Sequence, residues 1–346
     1  MDSIYGRAMI FGFAFGIIGL LCACHSILRI RGRQMCIRPV DSWEMKPHPI
    51  GRFLVDLPKE AVIAQWYQRY QGTGRICLAA NVSPKEFEIT VNTRAAELNS
   101  VAHEKGGTRL EKDIKLGCPN SRILLSWENK YFKGRYLDAN AYALIGDTLY
   151  KFEAETDADP ILQKNHMDYI DGLFSAIRPV KPDEIPTDYG FCFDQSILVD
   201  QPRTLVENVI TKAIWMDRPD VHFSFTTITN GKTTDPPLLE RLKKGNHYSG
   251  TRILRSGRRN MASGEMGEEH LERIKESNGT VGHLFVWETQ GLTNYQCEHP
   301  QIRLDMTTGN GRHGPENSSL SDEDALRLWD TMVNSIRLRP VAKPKA

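Results

Sequence analysis

Two segments with helical spacing of apolar residues stand at corresponding places in the two halves of the chain. The first follows Asp159, which can cap a helix, and it closes on "LFSAIRPV" (Leu173–Val180). The second follows Ser321, which forms a pattern like a capping box with Asp324, and it closes on "MVNSIRLRP" (Met332–Pro340). Both endings carry Ile-Arg shortly before a proline. The pattern predicts a closing helix in each half and a chain built of two related halves.

Alternating apolar and polar residues predict strands upstream of each closing helix. Several of these segments correspond between the halves: Phe87–Thr93 with Phe223–Thr229, Gly107–Asp113 with Gly250–Ser256, Gly51–Pro58 with Gly190–Ile197, and Tyr150–Thr156 with Gln301–Thr307. Further strands are predicted at Arg122–Glu128, Arg135–Leu144 and Val281–Glu288. Runs of strands with few helices favour antiparallel α+β layers over a βαβ sheet. We therefore predict two related α+β domains, each with an antiparallel sheet and packed helices.

A proline-rich stretch, Arg178–Gly190, marks the boundary between the domains. Three prolines within it disfavour both helix and sheet ladder and favour an extended spacer. The prediction places the first domain at residues 36–178, the linker at 179–189 and the second domain at 190–340. A signal or anchor segment covers residues 1–24. An enclosed groove between the two halves is the expected binding site.

The leader contains an unbroken run of apolar residues and glycine over residues 8–24. This run is short for a bilayer-spanning helix and suits the hydrophobic region of a signal peptide. "LCAC" (Leu21–Cys24) resembles the lipobox of bacterial lipoproteins, so Cys24 is the predicted lipid anchor. The alternatives are an uncleaved anchor, a plain signal peptide, or a cytosolic chain with a hydrophobic leader. The lipoprotein interpretation places the protein in the periplasm, attached to a membrane.

Export would place the remaining cysteines in an oxidising compartment where disulfides persist. Five cysteines follow the lipobox, so at least one is left without a disulfide partner: Cys36, Cys77, Cys118, Cys192 and Cys297. Pairing Cys77 with Cys118 and Cys192 with Cys297 would keep each bridge within one half. This pairing is a hypothesis, because spacing alone does not fix connectivity. No CxxC motif or Cys/His ladder is present, so neither a structural zinc site nor a cofactor is predicted.

Charge and motifs argue against several classes of function. A formal net charge of +1 gives no reason to expect a nucleic-acid partner. "GNGRHG" (Gly309–Gly314) fits GxGxxG, but Pro315 follows it where a nucleotide-binding helix would have to begin. The sequence lacks GxSxG and HExxH motifs. Cys297 and His299 could share one face of a strand, which leaves a thiol–imidazole pair open. We predict no catalytic residue and no small-molecule substrate.

The segments that open the two domains carry a family resemblance. "IGRFLVDLP" (Ile50–Pro58), "DYGFCFDQSIL" (Asp188–Leu198), the two helix endings and the exported leader resemble immunity proteins that neutralise lipase effectors of the type VI secretion system, in the fourth class of the Tli lineage. The resemblance implies a periplasmic or envelope-bound protein with two α+β domains and no enzymatic activity. It also implies that both domains grip a cognate phospholipase and block its active site or lid. A lipidated Cys24 would hold the inhibitor at the membrane.

Tight inhibitor interfaces centre on buried aromatic or arginine side chains. The candidate contact residues are Trp127, Tyr131, Phe132, Arg255, Arg258 and Arg259. For each of them an ordinary structural role is the alternative, because a strand tryptophan is often core and surface arginines are often only solvated. Two other functions stay open: an envelope lipoprotein that scaffolds a secretion or envelope complex, and a thiol-dependent envelope enzyme around Cys297 and His299.

Overall fold

The computed structural model describes residues 43–131, 133–200, 205–229, 231, 235–243, 250–261, 264–311 and 314–342. The first half of this part contains helices α1 (Pro84–Ser100) and α2 (Pro160–Ala176). Its strands are β1 (Met45–Ile50), β2 (Phe53–Pro58), β3 (Ala61–Tyr70), β4 (Gly74–Ala79), β5 (Leu110–Lys115), β6 (Ser121–Ser126), β7 (Tyr136–Ile145), β8 (Thr148–Asp157) and β9 (Ile177–Pro179).

The second half repeats this order of elements, with one extra short hairpin before the closing helix. Its helices are α3 (Leu238–Lys243) and α4 (Asp322–Ser335). Its strands are β10 (Gly190–Phe193), β11 (Ser196–Val199), β12 (Asn208–Trp215), β13 (Arg218–Ile228), β14 (Thr251–Asn260), β15 (Met266–Lys275), β16 (Val281–Thr289), β17 (Gln301–Thr308), β18 (Asn310–Gly311), β19 (Gly314–Pro315) and β20 (Arg337–Leu338).

Side-chain caps fix the start of each longer helix. The carboxylate of Asp159 accepts N–H bonds from the first turn of α2 at 2.9 and 3.1 Å, and the hydroxyl of Ser321 accepts one from Asp324 at 3.1 Å. Both predicted helix starts are thereby confirmed. Helix α1 begins with a reciprocal capping box, in which the Ser83 hydroxyl accepts from the Glu86 N–H and the Glu86 carboxylate accepts from the Ser83 N–H.

The prediction of a strand at Phe87–Thr93 was wrong, because this segment lies inside α1. Its β-branched residues alternate with polar ones, which imitates a strand period. The buried side chains follow the helical period instead, at Phe87, Val91, Ala95 and Leu98. The capping box at Ser83 and Glu86, just upstream, favours a helix over a strand for this segment. The other strand predictions hold, although Gly51–Pro58 corresponds to β2, whereas Gly190–Ile197 spans β10 and the start of β11.

Within the described residues, twelve strands form one antiparallel sheet that runs through both halves. Its order is β14-β15-β16-β17-β13-β12-β3-β4-β8-β7-β6-β5. On either side of the β3–β12 pair the strands follow each other in equivalent order. The two halves therefore join edge to edge, with Tyr67 opposite Ile210 and Val62 opposite Ile214. The architecture is mostly antiparallel sheet with few helices, and the predicted groove between the halves is occupied by this strand pair.

Helices pack on both faces of the sheet. Helices α2 and α4 pack on the face that we call the inner face, where Phe174 stacks on Phe152 with ring centroids 4.5 Å apart and Trp329 meets Phe285 edge-on at 5.7 Å. Helices α1 and α3 pack on the opposite, outer face. Apolar side chains are buried under the helices on both faces. Each half thus has one helix on each face of its part of the sheet.

The short strands at the helix ends cross between the halves. Strand β20, which follows α4 at the end of the second half, pairs with β2 of the first half. Strand β9, which follows α2, pairs with β11 of the second half. The two opening hairpins also meet, since Gly51 and Cys192 exchange both backbone hydrogen bonds at 2.9 Å. Each half thus closes on a hairpin that belongs to the other half.

Arg52, at the turn between β1 and β2, anchors this crossing with a buried ion cluster. Its guanidinium donates to Asp200 Oδ2 at 2.7 Å and to Glu207 Oε2 at 2.9 Å, and the Tyr70 hydroxyl donates to the same Asp200 oxygen at 2.6 Å. Arg52 is 6% and Glu207 4% exposed. Burial raises the pKa of Glu207, and the neighbouring Arg52 works against that shift. The cluster ties residues of the first half to the start of the second.

We expect Arg52→Ala to destabilise the whole protein by about 3–5 kcal/mol, because it leaves two carboxylates in the interior without their cation. The measurement is the midpoint of urea unfolding. Arg135→Ala is the matched control: Arg135 pairs with Asp157 at 2.8 Å, but its side chain is 71% exposed, so its loss should leave the midpoint close to that of the unmodified protein. Similar midpoints for the two variants would contradict the role assigned to the buried cluster.

Candidate functional site

Two of the predicted contact residues, Arg255 and Arg259 on β14, are held within the molecule. Arg255 Nε lies 2.6 Å from Glu269 Oε1 and Arg259 Nη1 lies 3.1 Å from Glu269 Oε2, while both guanidinium groups also contact Asp330 of α4. The Trp329 indole N–H donates to Glu269 as well, at 3.1 Å. These contacts give both arginines a structural role within the molecule, which was the alternative considered for them, and their contact with a partner stays a prediction. They hold the edge strand β14 to helix α4.

The register of β14 explains this outcome. From Arg255 to Arg259 the strand pairs with β15 without a shift, so Arg255 and Arg259 share the inner face, whereas Arg258 points to the outer face opposite Glu268. Arg258 is exposed, so it stays a candidate for contact with a partner. Alternation along "RILRSGRR" separates Arg258 from the other two arginines, but it does not indicate that helix α4 packs on the face of Arg255 and Arg259.

Arg259→Ala should lower stability by about 1–3 kcal/mol, because Glu269 and Asp330 lose a charged hydrogen-bond donor. Arg258→Ala on the same strand should change stability by less than about 0.5 kcal/mol, since the side chain is exposed. Thermal unfolding of the two variants alongside the unmodified protein gives the comparison. If Arg258→Ala proved the more damaging of the two, the assignment of faces on β14 would be incorrect.

The aromatic candidates differ from one another in exposure. Trp127 is only 7% exposed, belongs to the core cluster and donates its indole N–H to Glu111 at 2.9 Å. Tyr131, in the loop between β6 and β7, is 59% exposed, with the ammonium of Lys130 4.9 Å from the centre of its ring. Phe132 lies outside the described residues. Tyr131 is thus available to a partner, whereas Trp127 is buried in the core next to the loop that carries Tyr131.

None of the four cysteines predicted to pair is in a disulfide in the described structure. Cys77 lies on β4, and Cys118 lies in the turn between β5 and β6, at least three strand spacings, about 14 Å, across the sheet. A disulfide needs Cα atoms within about 7 Å. Cys192 and Cys297 are both buried thiols, and burial raises their pKa to about 11 and about 12. The predicted pairing is corrected accordingly.

The Cys297–His299 pair does not form the arrangement that thiol catalysis needs. His299 Nδ1 lies 2.9 Å from Glu265 Oε1, and Cys297 Sγ donates to the Leu205 carbonyl at 3.8 Å. Neither contact joins the thiol to the imidazole. A thiol with a pKa of about 12 is protonated at neutral pH and is a weak nucleophile.

One side-chain constellation that the sequence did not reveal imitates a catalytic triad. His283 Nε2 lies 3.0 Å from Asp322 Oδ1, and His283 Nδ1 lies 3.4 Å from Ser318 Oγ and 2.8 Å from Thr308 Oγ1. His283 is 1% exposed, and the Ser318 hydroxyl donates to the Leu320 carbonyl at 2.9 Å. No substrate can reach this histidine. The arrangement holds the start of α4 against β16.

The outer face of the sheet offers a different kind of site. Helix α1 covers β6, β7 and β8, where Phe87 and Leu98 pack with Leu124 and Tyr142. Helix α3 covers β15 and β16, where Leu238 packs with other apolar side chains. No helix of the described chain covers the strands between them. We call the following group of outward-facing side chains on β3, β4, β12 and β13 the central strip: Val62, Tyr67, Arg69, Arg75, Ile210, Lys212, Ile214 and Thr226.

Comparison with known proteins identifies the relatives of this chain. Residues 46–166 match the family described as Tle cognate immunity protein 4 N-terminal domain, and residues 184–341 match the corresponding C-terminal domain. The chain is 27% identical to the apo structure of immunity protein TplEi of T6SS from Pseudomonas aeruginosa, covering 88% of this chain and 100% of that one with a TM-score of 0.75.

Two further solved structures are similar. The chain is 27% identical to one in the crystal structure of the Tle4-Tli4 complex, covering 86% of this chain and 98% of that one with a TM-score of 0.73. TplEi from Pseudomonas aeruginosa complexed with "L" peptide is 26% identical, covering 86% and 99% with a TM-score of 0.67. A search of curated protein sequences gives no match. Among the described helices, none has the length and apolar character to cross a membrane.

Proposed function

Because the chain belongs to the Tle cognate immunity protein 4 family, we propose that it grips its cognate lipase effector with both halves of one rigid sheet. It is an immunity protein of the type VI secretion system, its partner is a cognate lipase effector, and it is not an enzyme. The observation that carries the proposal is the match to both family domains together with the similarity to a chain of the Tle4-Tli4 complex.

The continuous sheet supports a rigid grip. Strands β3 and β12 pair along their whole length, and the Arg52 cluster and the crossed hairpins join the halves a second time. A closing motion about the proline-rich segment would have to break these contacts. Binding then proceeds without the ordering cost that a hinged inhibitor would incur, which favours high affinity. Both halves present their surfaces to the lipase in a fixed geometry, so that the active site or lid is blocked.

Inhibition should be stoichiometric. We expect phospholipid hydrolysis by the cognate lipase effector to fall to background when one equivalent of the immunity protein is added. The measurement is a titration of lipase activity on phospholipid vesicles, with the mass of the complex determined in parallel. A protein that leaves hydrolysis unchanged and co-purifies with several envelope components would instead be a scaffold. Turnover lost in a folded Cys297→Ala variant would indicate the thiol-dependent enzyme.

The proposed location is the periplasm, where Tli immunity proteins act against effectors. Membrane attachment through Cys24 is part of the proposal, and its support is the lipobox-like sequence Leu21–Cys24. Residues 1–42 lie outside the described structure. Attachment would keep the inhibitor at the surface on which an injected lipase acts, which raises its local concentration there.

Lipidation predicts that Cys24→Ser abolishes incorporation of labelled palmitate and moves the protein from the membrane fraction to the soluble periplasmic fraction. Cys22→Ser is the matched control, because serine is a usual residue at that lipobox position and the acylated cysteine stays in place. Labelling followed by fractionation measures both variants. Membrane attachment that persists in Cys24→Ser would favour the uncleaved anchor instead.

A further inference from the structure

We infer that the central strip is the surface on which an acidic, partly apolar segment of the lipase effector docks. The inference rests on the proposed function and specifies which face of the protein carries it. The strip lies across the β3–β12 pair, so both halves contribute to it: Val62, Tyr67 and Arg69 come from β3, and Ile210, Lys212 and Ile214 come from β12. Its side chains show three features that a merely solvated sheet face does not need.

The first feature is apolar exposure. A sheet face turned to water normally carries polar side chains. Here Val62 is 52% and Tyr67 is 37% exposed, and the partly buried Ile210 and Ile214 lie directly opposite them on β12. These side chains form two apolar pairs in the middle of the sheet, one on each side of the exposed Lys212. Apolar side chains exposed next to cationic ones are typical of a protein-binding surface.

The second feature is an uncompensated pair of like charges. Arg69 on β3 is directly opposite Arg75 on β4, and both side chains are exposed on the outer face. Like charges opposite each other on neighbouring strands are destabilising. Within the described residues neither arginine is ion-paired. Glu153, which lies opposite Arg75 on its other side, is engaged by Lys151 at 2.7 Å. Carboxylates supplied by a partner would satisfy both guanidinium groups.

The third feature is composition and rigidity. Tyrosine and arginine dominate the energetics of protein interfaces, and Tyr67, Arg69 and Arg75 stand side by side, with the cation of Lys212 further along the strip. The same strands are fixed from the inner face, where Val209 is fully buried and the Tyr70 hydroxyl bonds Asp200. The strip is therefore held in one geometry before binding. Its positive charge selects an acidic segment as the occupant.

The decisive variants change charge without removing packing. Arg69→Glu with Arg75→Glu keeps a like-charge pair on β3 and β4 and reverses the charge offered to the partner. Because Arg75→Glu also faces Glu153, the Tm of the variant is measured alongside its binding. The matched control is Lys85→Glu with Lys115→Glu, which makes the same change in net charge at exposed positions on α1 and β5. Binding to the purified cognate lipase effector is measured by calorimetry or surface plasmon resonance at two salt concentrations.

We expect the double arginine reversal to raise Kd by about 100-fold or more and to remove most of its salt dependence, and Tyr67→Ala to raise Kd at least about tenfold. The control should stay within about threefold. The single variant Arg69→Glu sharpens the test, because it creates an internal ion pair with Arg75: its Tm should rise while its affinity falls. Misfolding cannot produce that combination.

The outcomes separate the two proposals. If the unmodified protein does not bind the lipase, the proposed function itself fails. If it binds and the double reversal binds within about threefold of it, the docking surface is overturned while the function stands. Concentration-dependent dimers that the double reversal dissolves, without an effect on lipase binding, would assign the strip to self-association and would equally overturn the inference.

Discussion

The pairing of β3 with β12 is the constraint on which the rest of the structure depends. It converts the sheets of two repeated halves into one, and it removes two long edges that would otherwise lie open in the middle of the molecule. Val209, Ala213 and Trp215 on the inner side of β12 are buried in a core cluster that contains residues of both halves. The same pairing creates an outer surface to which both halves contribute.

The crossed hairpins make the joint cooperative. Strand β20 pairs with β2 across almost the whole length of the chain, and β9 pairs with β11 across the proline-rich segment. Neither half can complete its own packing without the other, and the buried Arg52 cluster would be left with uncompensated charges if they separated. A sequence repeat and a proline-rich spacer suggest two independent domains. The side-chain chemistry instead binds them into a single unit.

Elements that depend on contacts between residues close in sequence were predictable, whereas features that depend on contacts between distant residues were not. The starts of α2 and α4 were predictable because Asp159 and Ser321 act on N–H groups within the next three residues. Helix α1 was missed because its alternating β-branched residues outweighed the capping box at Ser83. The halves join edge to edge through pairing of β3 with β12, which are far apart in the sequence, and no local pattern predicts this pairing.

The candidate site shows the same limit. The ion pairs of Arg255 and Arg259 with Asp330 could not be predicted, because no local pattern shows that α4 packs on their face of β14. Arg69 and Arg75, by contrast, flank the short turn at Gln71–Thr73, so a hairpin interpretation of "RYQGTGR" could have placed them opposite each other. What it could not supply is which face of that hairpin is left uncovered, because that depends on where α1 and α3 pack.

Two groups of polar residues, one buried and one exposed, differ in what they indicate about the function of this inhibitor. His283, Asp322, Ser318 and Thr308 satisfy one another in the interior, and their triad-like geometry serves only to hold α4. Arg69 and Arg75 are exposed and repel each other, which works against stability. Folding alone would favour replacing one of them with a carboxylate. A protein that catalyses no reaction can still retain the repulsion between Arg69 and Arg75 where a partner's carboxylates relieve it. In this molecule the exposed arginines therefore indicate function, and the buried network of His283 does not.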